Sequence, residues 1–255
     1  MMSPALAHKQ RMLEQGRSAN RAVAYSPAAA LAGPANAQKH LALMTSALAE
    51  DLARLSDMNS MGDRQTVKRD ELLPKYLDYV QRYRDSGLNH PNQVLMQVLV
   101  WLFDTKQFEA GLDLALFAIE QGQEMPERFK RDVPTFVADA LIDWAEAEHK
   151  AKRSPEPYLS QLMPYVDGYW AEITAEEGTQ LPTAWKLFER IPARFHKLLG
   201  ILAMETEQWA DAIDHFERAT ALYPEIGVKT RSDDAAKALR KQQAEQAKAD
   251  ENPTT

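Results

Sequence analysis

The stretch GILAMETEQWADAIDHFERATALYP, Gly200–Pro224, decides the fold. It holds a glycine at 200, alanines at 212 and 219, a phenylalanine at 216 and a proline at 224. A polar break, Glu205–Gln208, separates two runs with helical apolar spacing. Small residues at 200, 212 and 219 let two helices cross closely, and Phe216 fills the groove between them. Pro224 stops the second helix, because a proline has no N–H to continue the ladder. Leu198, Leu199, Ile201 and Leu202 add to the same buried face. The stretch therefore predicts an αα-hairpin.

This spacing also follows one repeat of the 34-residue tetratricopeptide pattern. A single repeat cannot bury its own apolar face, so neighbouring helices must complete the stack. A looser echo lies upstream: Phe108, Gly111, Ala115 and Ala118 align with Trp209, Ala212, Phe216 and Ala219. Generic αα-hairpins in a bundle would account for the same residues. In either reading the motif is scaffold and contact surface, with Trp209, Phe216 and Tyr223 as its candidate partner-binding residues.

Working outward, the rest of the chain is helical too. Leu41, Met44, Leu48, Leu52 and Leu55 recur at three- and four-residue steps, and Leu41, Leu48 and Leu55 also stand seven apart. That stripe suits either ordinary packing or a homo-oligomer seam. Pro74 sits where the first turn of a helix tolerates it, ahead of Tyr76, Leu77, Val80 and Tyr83. Val94, Leu95, Val98, Leu99, Trp101 and Leu102 make the next helix nearly all apolar, which places it centrally in the core. Gly122 ends the helix after it, and another amphipathic helix starts near Pro134. No segment shows a convincing period of two. The expectation is an all-α helical bundle built from αα-hairpins, with one tetratricopeptide-like hairpin near the C-terminus. It divides into a basic arm and Ala/Pro linker (1–36), two helical parts of the core (37–152 and 153–228) and a polar C-terminal helix and tail (229–255).

Composition narrows the function. Ten glycines and no cysteine among 255 residues argue against a turn-rich β fold, a disulfide framework and a thiolate metal site. The stretch Ala22–Ala37 imitates a secretory signal, but it is mostly alanine, broken by Pro27 and Pro34, and follows a polar leader. No apolar run is long enough to span a membrane, so a cytoplasmic protein is expected. The net charge of −7 is unevenly laid out. Residues 100–148 carry eleven acidic side chains against four basic ones, whereas residues 1–55 carry six basic against three acidic. An acidic average therefore leaves room for a local phosphate-binding surface. Its candidates are Lys9, Arg11, Arg17 and Arg21 in the arm, and Arg64, Lys68 and Arg69 at a turn. Ordinary solubilising charge is the alternative.

Catalytic motifs are absent. There is no phosphate-cradling glycine loop, no nucleophile elbow and no histidine pair at zinc spacing. Asp139, Asp143 and Glu146 fall on one face of a single helix, as carboxylates holding Mg²⁺ for phosphodiester hydrolysis would have to. A solvated acidic face has the same pattern.

Several segments taken together resemble the small terminase subunit of temperate contractile-tailed phages. They are MMSPALAHKQRML at the start, KRDELLP (Lys68–Pro74) and VLVWLFDTKQFEAGLDLALFAIEQGQEMP up to Pro126. PARFHKLLGIL and HFERATALYPEIGVK extend the likeness, which runs colinearly over about residues 1–245. The resemblance implies a role in DNA packaging: a small, ring-forming subunit that recognises the genome's end site and presents double-stranded phage DNA to a large ATPase subunit. Such subunits are customarily named endonucleases, which implies Mg²⁺-dependent cleavage. The chain departs from the family pattern in ending at KADENPTT, without a long basic tail, and no nuclease motif can be carried over. An adaptor without DNA or nuclease activity is the alternative.

Overall fold

The computed structural model describes residues 34–251. Among them every regular element is helical. The chain divides into two compact units, residues 1–95 and 96–255.

In the first unit, α1 (Pro34–Asp57) runs antiparallel to α3 (Leu73–Asp85). Four contacts run along the pairing, the last of them from α1 to the turn just ahead of α3. His40 meets the Tyr79 ring edge-on at 5.1 Å, Asp51 accepts from Lys75 Nζ and Tyr76 Oη, and Arg54 pairs with Glu71. Between them, α2 (Met61–Val67) starts at Ser60, whose Oγ accepts from Asp63 N at 3.2 Å as an N-cap does. Pro74 lies in the first turn of α3, as the sequence predicts, but no break precedes it. A π turn, Lys68–Leu72, joins α2 to α3, and Leu73 N donates to Lys68 O. Widening the helix there relieves the clash a proline ring makes with the carbonyl four residues back. Leu48 and Leu55 are buried within the chain itself and Leu41 is partly buried, so this stripe packs inward.

Helix α4 (Gln93–Asp104) begins at Asn92, whose Oδ1 accepts from Leu95 N while Nδ2 donates to Tyr79 Oη. From Val98 to Leu102 it is buried on all sides, as its composition predicts.

In the second unit α4 is followed by α5 (Phe108–Glu120), α6 (Val133–Lys150), α7 (Tyr158–Val166) and α8 (Gly168–Thr174). Then come α9 (Arg190–Glu205), α10 (Trp209–Leu222), a single 3-10 turn at Pro224–Ile226 and α11 (Lys229–Glu251). Asp132 caps α6 by accepting from Thr135 N, and Pro134 occupies its first turn. The α9–α10 hairpin forms where it was predicted. A Cβ on Gly200 would lie 2.6 Å from Phe216 Cε1, so the ring rests on bare backbone. Phe216, Ala212 and Ala219 are fully buried, and Val228, just ahead of α11, and Ala235, within it, complete the cluster around Ala212 and Phe216. The upstream echo is real in its small buried positions, Gly111, Ala115 and Ala118, but its ring and notch change helices. There the glycine is on the second helix and faces Phe103 of the first, whose Cε2 is 3.0 Å from the place of a Cβ.

Candidate functional site

Where α7 meets α8, Asp167 adopts an extended conformation and caps α8, accepting from Trp170 N at 3.2 Å. Aspartate at such a corner is the residue type expected of an N-cap. Here its carboxylate does more. Arg218 of α10 donates to it through Nε at 2.6 Å and Nη2 at 2.9 Å, and His196 Nε2 of α9 lies 3.1 Å away. His196 is wholly buried, and its Nδ1 is 2.9 Å from Nδ1 of His215 on α10. Trp170 stacks on His215 at 4.6 Å and presents its edge to His196 at 4.8 Å. Tyr169, next to it, covers the Arg218 guanidinium at 4.5 Å. One carboxylate thus ties the α7–α8 corner to both helices of the hairpin.

The protonation states follow from this geometry. Burial pushes the Asp167 carboxyl up, but the hydrogen bonds from His196, Arg218 and the Trp170 backbone outweigh it and hold the group well below the usual carboxylate range. An ionised Asp167 only accepts, so His196 carries its proton on Nε2. Burial, opposed by Asp167, lowers the pKa of His196 and keeps the ring neutral. Its Nδ1 is then an acceptor for the Nδ1–H of His215. Burial first, and His196 second, lower His215 to about 4. His215 is left with an unprotonated Nε2, and it lines an open groove of about 960 Å³ between α8 and the hairpin.

The groove is chemically one-sided. Tyr169, Trp170 and Ile173 form one wall with Leu199 and Leu202. Glu156, Glu205, Asp211, Asp214 and Glu217 also line it, all exposed, against a single arginine, Arg218, already bound to Asp167. Such a surface repels a phosphate backbone and favours a cationic ligand.

The residues singled out in the sequence are distributed elsewhere. Arg194 of α9 gathers two of the three carboxylates of α6: it donates to Asp143 Oδ1 at 2.7 Å and to both Glu146 oxygens at 2.8 and 3.0 Å. The hydrogen bonds to Glu146 and Asp143 raise the Arg194 pKa further, so this cation is permanent. Asp139 is drawn instead to Arg131 at 2.5 Å. Arg194 thus bridges Asp143 and Glu146 while Asp139 pairs elsewhere, so the three carboxylates as arranged are not gathered around one point as Mg²⁺ would require. Among the described residues no group of three or more acidic, histidine or cysteine side chains could hold a metal. Arg64 braces the preceding turn, donating to Met58 O at 2.7 Å, and Arg69 pairs with Asp70. Lys68 is half-buried in the π turn. Lys9, Arg11, Arg17 and Arg21 lie outside the described residues. Of the hairpin residues, Phe216 is wholly internal, Trp209 packs toward the α11 cluster, and half-buried Tyr223 closes α10 beside Arg190 and Arg194.

Sequence spacing did not reveal the Asp167–His196–His215 set, because its members come from three helices and share no local period. One signal was present: His196 stands on the apolar stripe with Phe195 and Leu199, where an imidazole requires a partner.

Helical hairpins tied together through the Asp167 carboxylate make an all-α fold of stacked helices. Residues 45–172 match the family of phage small terminase subunits, and the chain belongs to that family. Among its relatives, a probable terminase endonuclease subunit of Haemophilus phage HP1 is 33% identical over 201 residues, covering 74% of this chain and 66% of that protein. The terminase endonuclease subunit of Escherichia phage P2 is 26% identical over 165 residues, covering 65% of this chain and 61% of its own length. The chain thus spans somewhat under two thirds of these relatives. No solved structure matches it. The family match includes Asp167 and Trp170 and stops short of His196, His215 and Arg218. Among the described residues no helix is long and apolar enough to cross a membrane.

Proposed function

We propose that this chain binds double-stranded phage DNA at the genome's end and presents it to a large ATPase subunit, acting as the recognition adaptor of a packaging terminase. The observation that carries the reading is the family match over residues 45–172. The charge layout supports a division of labour. The second unit's groove and α6 are acidic, and Arg64 and Arg69 have partners within the fold, which leaves the arm, with Lys9, Arg11, Arg17 and Arg21, as the main phosphate-binding element. The α9–α10 hairpin supplies the docking face for the large subunit or a sister protomer, with Tyr223 and the neighbouring Arg190 and Arg194 at its edge. Assembly into a homo-oligomer is part of the same proposal.

The test is a gel with a plasmid carrying the phage end sequence, in Mg²⁺ or EDTA, run native and after deproteination. Retarded but uncut DNA is expected. Arg17→Ala with Arg21→Ala should weaken the retardation and lower the slope of log K against log salt by about two. Unchanged binding by that variant removes the arm from the account. A Mg²⁺-dependent nick that survives deproteination assigns the cutting to this chain.

A further inference from the structure

The groove between α8 and the hairpin is built to receive cations, and nothing in the described fold fills it. Asp211, Asp214 and Glu217 project along one side of α10, three residues apart, and have no hydrogen-bond or ion-pair partner among the described residues. His215, between them, gives its Nδ1–H to His196, is kept neutral chiefly by burial, and offers Nε2 only as an acceptor. Opposite stand exposed Tyr169 and Ile173, large side chains that a soluble surface rarely presents together. Acceptors on one side and an aromatic–aliphatic wall on the other suit a segment that alternates arginine or lysine with apolar residues.

The chain contains such a segment. Residues 1–21 carry Lys9, Arg11, Arg17 and Arg21 against one acid, Glu14, interleaved with Leu6, Met12 and Leu13. The 33 residues ahead of α1 can span up to about 110 Å when extended, enough to reach a distant surface of the same or a neighbouring copy. We propose that the groove seats the N-terminal arm, so that the acidic wall of α10 competes with DNA phosphates for the same four cations. The competition with DNA rests on the arm's proposed role above; the seat itself does not. DNA then binds only by displacing the arm, which sets a threshold against weak, non-specific sites.

The chain has no cysteine, so one placed at the exposed Ala221 of the groove (Ala221→Cys) can carry a benzophenone photo-cross-linker on the full-length protein. Irradiation without DNA should give adducts that map by mass spectrometry to residues 1–21. In the same protein with Asp211→Asn, Asp214→Asn and Glu217→Gln these adducts should fall severalfold, with unchanged circular dichroism, and 1 M salt should do the same. Adducts confined to residues outside the arm, or arm adducts indifferent to the three neutral substitutions, overturn the proposal. Duplex DNA added before irradiation should suppress the arm adducts. If they persist while the DNA is retarded, the seat stands and the arm's role in DNA binding falls. If no arm adducts form but retardation still depends on Arg17 and Arg21, the seat falls alone.

Discussion

Gly200→Ala tests the hairpin at its tightest point. The new methyl would lie 2.6 Å from Phe216 Cε1, 2.8 Å from Cδ1 and 3.0 Å from Cζ, so three ring atoms block it at once. Phe216 is fully buried, and its ring cannot swing to solvent to make room. Overpacking of this kind costs about 1–3 kcal/mol, and three contacts on one rigid ring put the cost near the top of that range. Alanine regains about 1 kcal/mol in helix propensity over glycine. The net expectation is a loss of about 2 kcal/mol, read as a lower urea midpoint and a melting temperature reduced by about 4–8 °C. The combination with Phe216→Leu supplies the decisive comparison. Leucine leaves space for the methyl, so the double variant should be more stable than the two single losses predict, by at least about 1 kcal/mol. A Gly200→Ala protein as stable as the parent, or more so, would refute the close crossing and with it the reading of the opening stretch.

Three further outcomes are expected. His215 has a folded-state pKa of about 4, below its unfolded value near 6.5, so the unfolded chain binds more protons between those values; its contribution is complete above pH 6.5 and disappears as pH falls toward 4, by at most about 3 kcal/mol. Urea midpoints measured from pH 7 to 4.5 should drop in that window, and less steeply in a His215→Gln protein. Asp167→Asn keeps the cap on α8 but leaves Arg218 and His196 without their anion, which should lower stability by about 3 kcal/mol in urea unfolding. Asp143→Ala removes one of two partners of Arg194 on an exposed face, so stability should change by less than about 1 kcal/mol and any DNA cleavage should persist; loss of cleavage in that variant would make the α6 carboxylates catalytic after all.

The hairpin was legible because its determinants are local. Gly200, Ala212, Phe216, Ala219 and Pro224 lie within one stretch of twenty-five residues, and their spacing alone specifies how the helices meet. The apolar run from Val98 to Leu102 was readable for the same reason. Pro74 was read correctly as a first-turn proline, but the π turn ahead of it was not, since widening a helix leaves no compositional mark. The α6 carboxylates show a second limit. Spacing places Asp139, Asp143 and Glu146 on one face, yet Arg194, from a helix about fifty residues later, decides what two of them hold. The Asp167–His196–His215 tie lay wholly beyond periodicity, because its three members converge only after α7, α9 and α10 have packed.

The π turn at Lys68–Leu72 acts as a phase correction. One additional residue in a helix rotates everything after it by about 100°. Tyr76, Tyr79, Val80 and Tyr83 face the inside of the first unit only because that rotation has been made before they are reached. A chain one residue shorter between Val67 and Leu73 would turn this tyrosine face outward and close the helix against the ring of Pro74. Length here is therefore as much a constraint as residue identity: a substitution in this stretch changes one side chain, whereas a deletion reorients a whole helix.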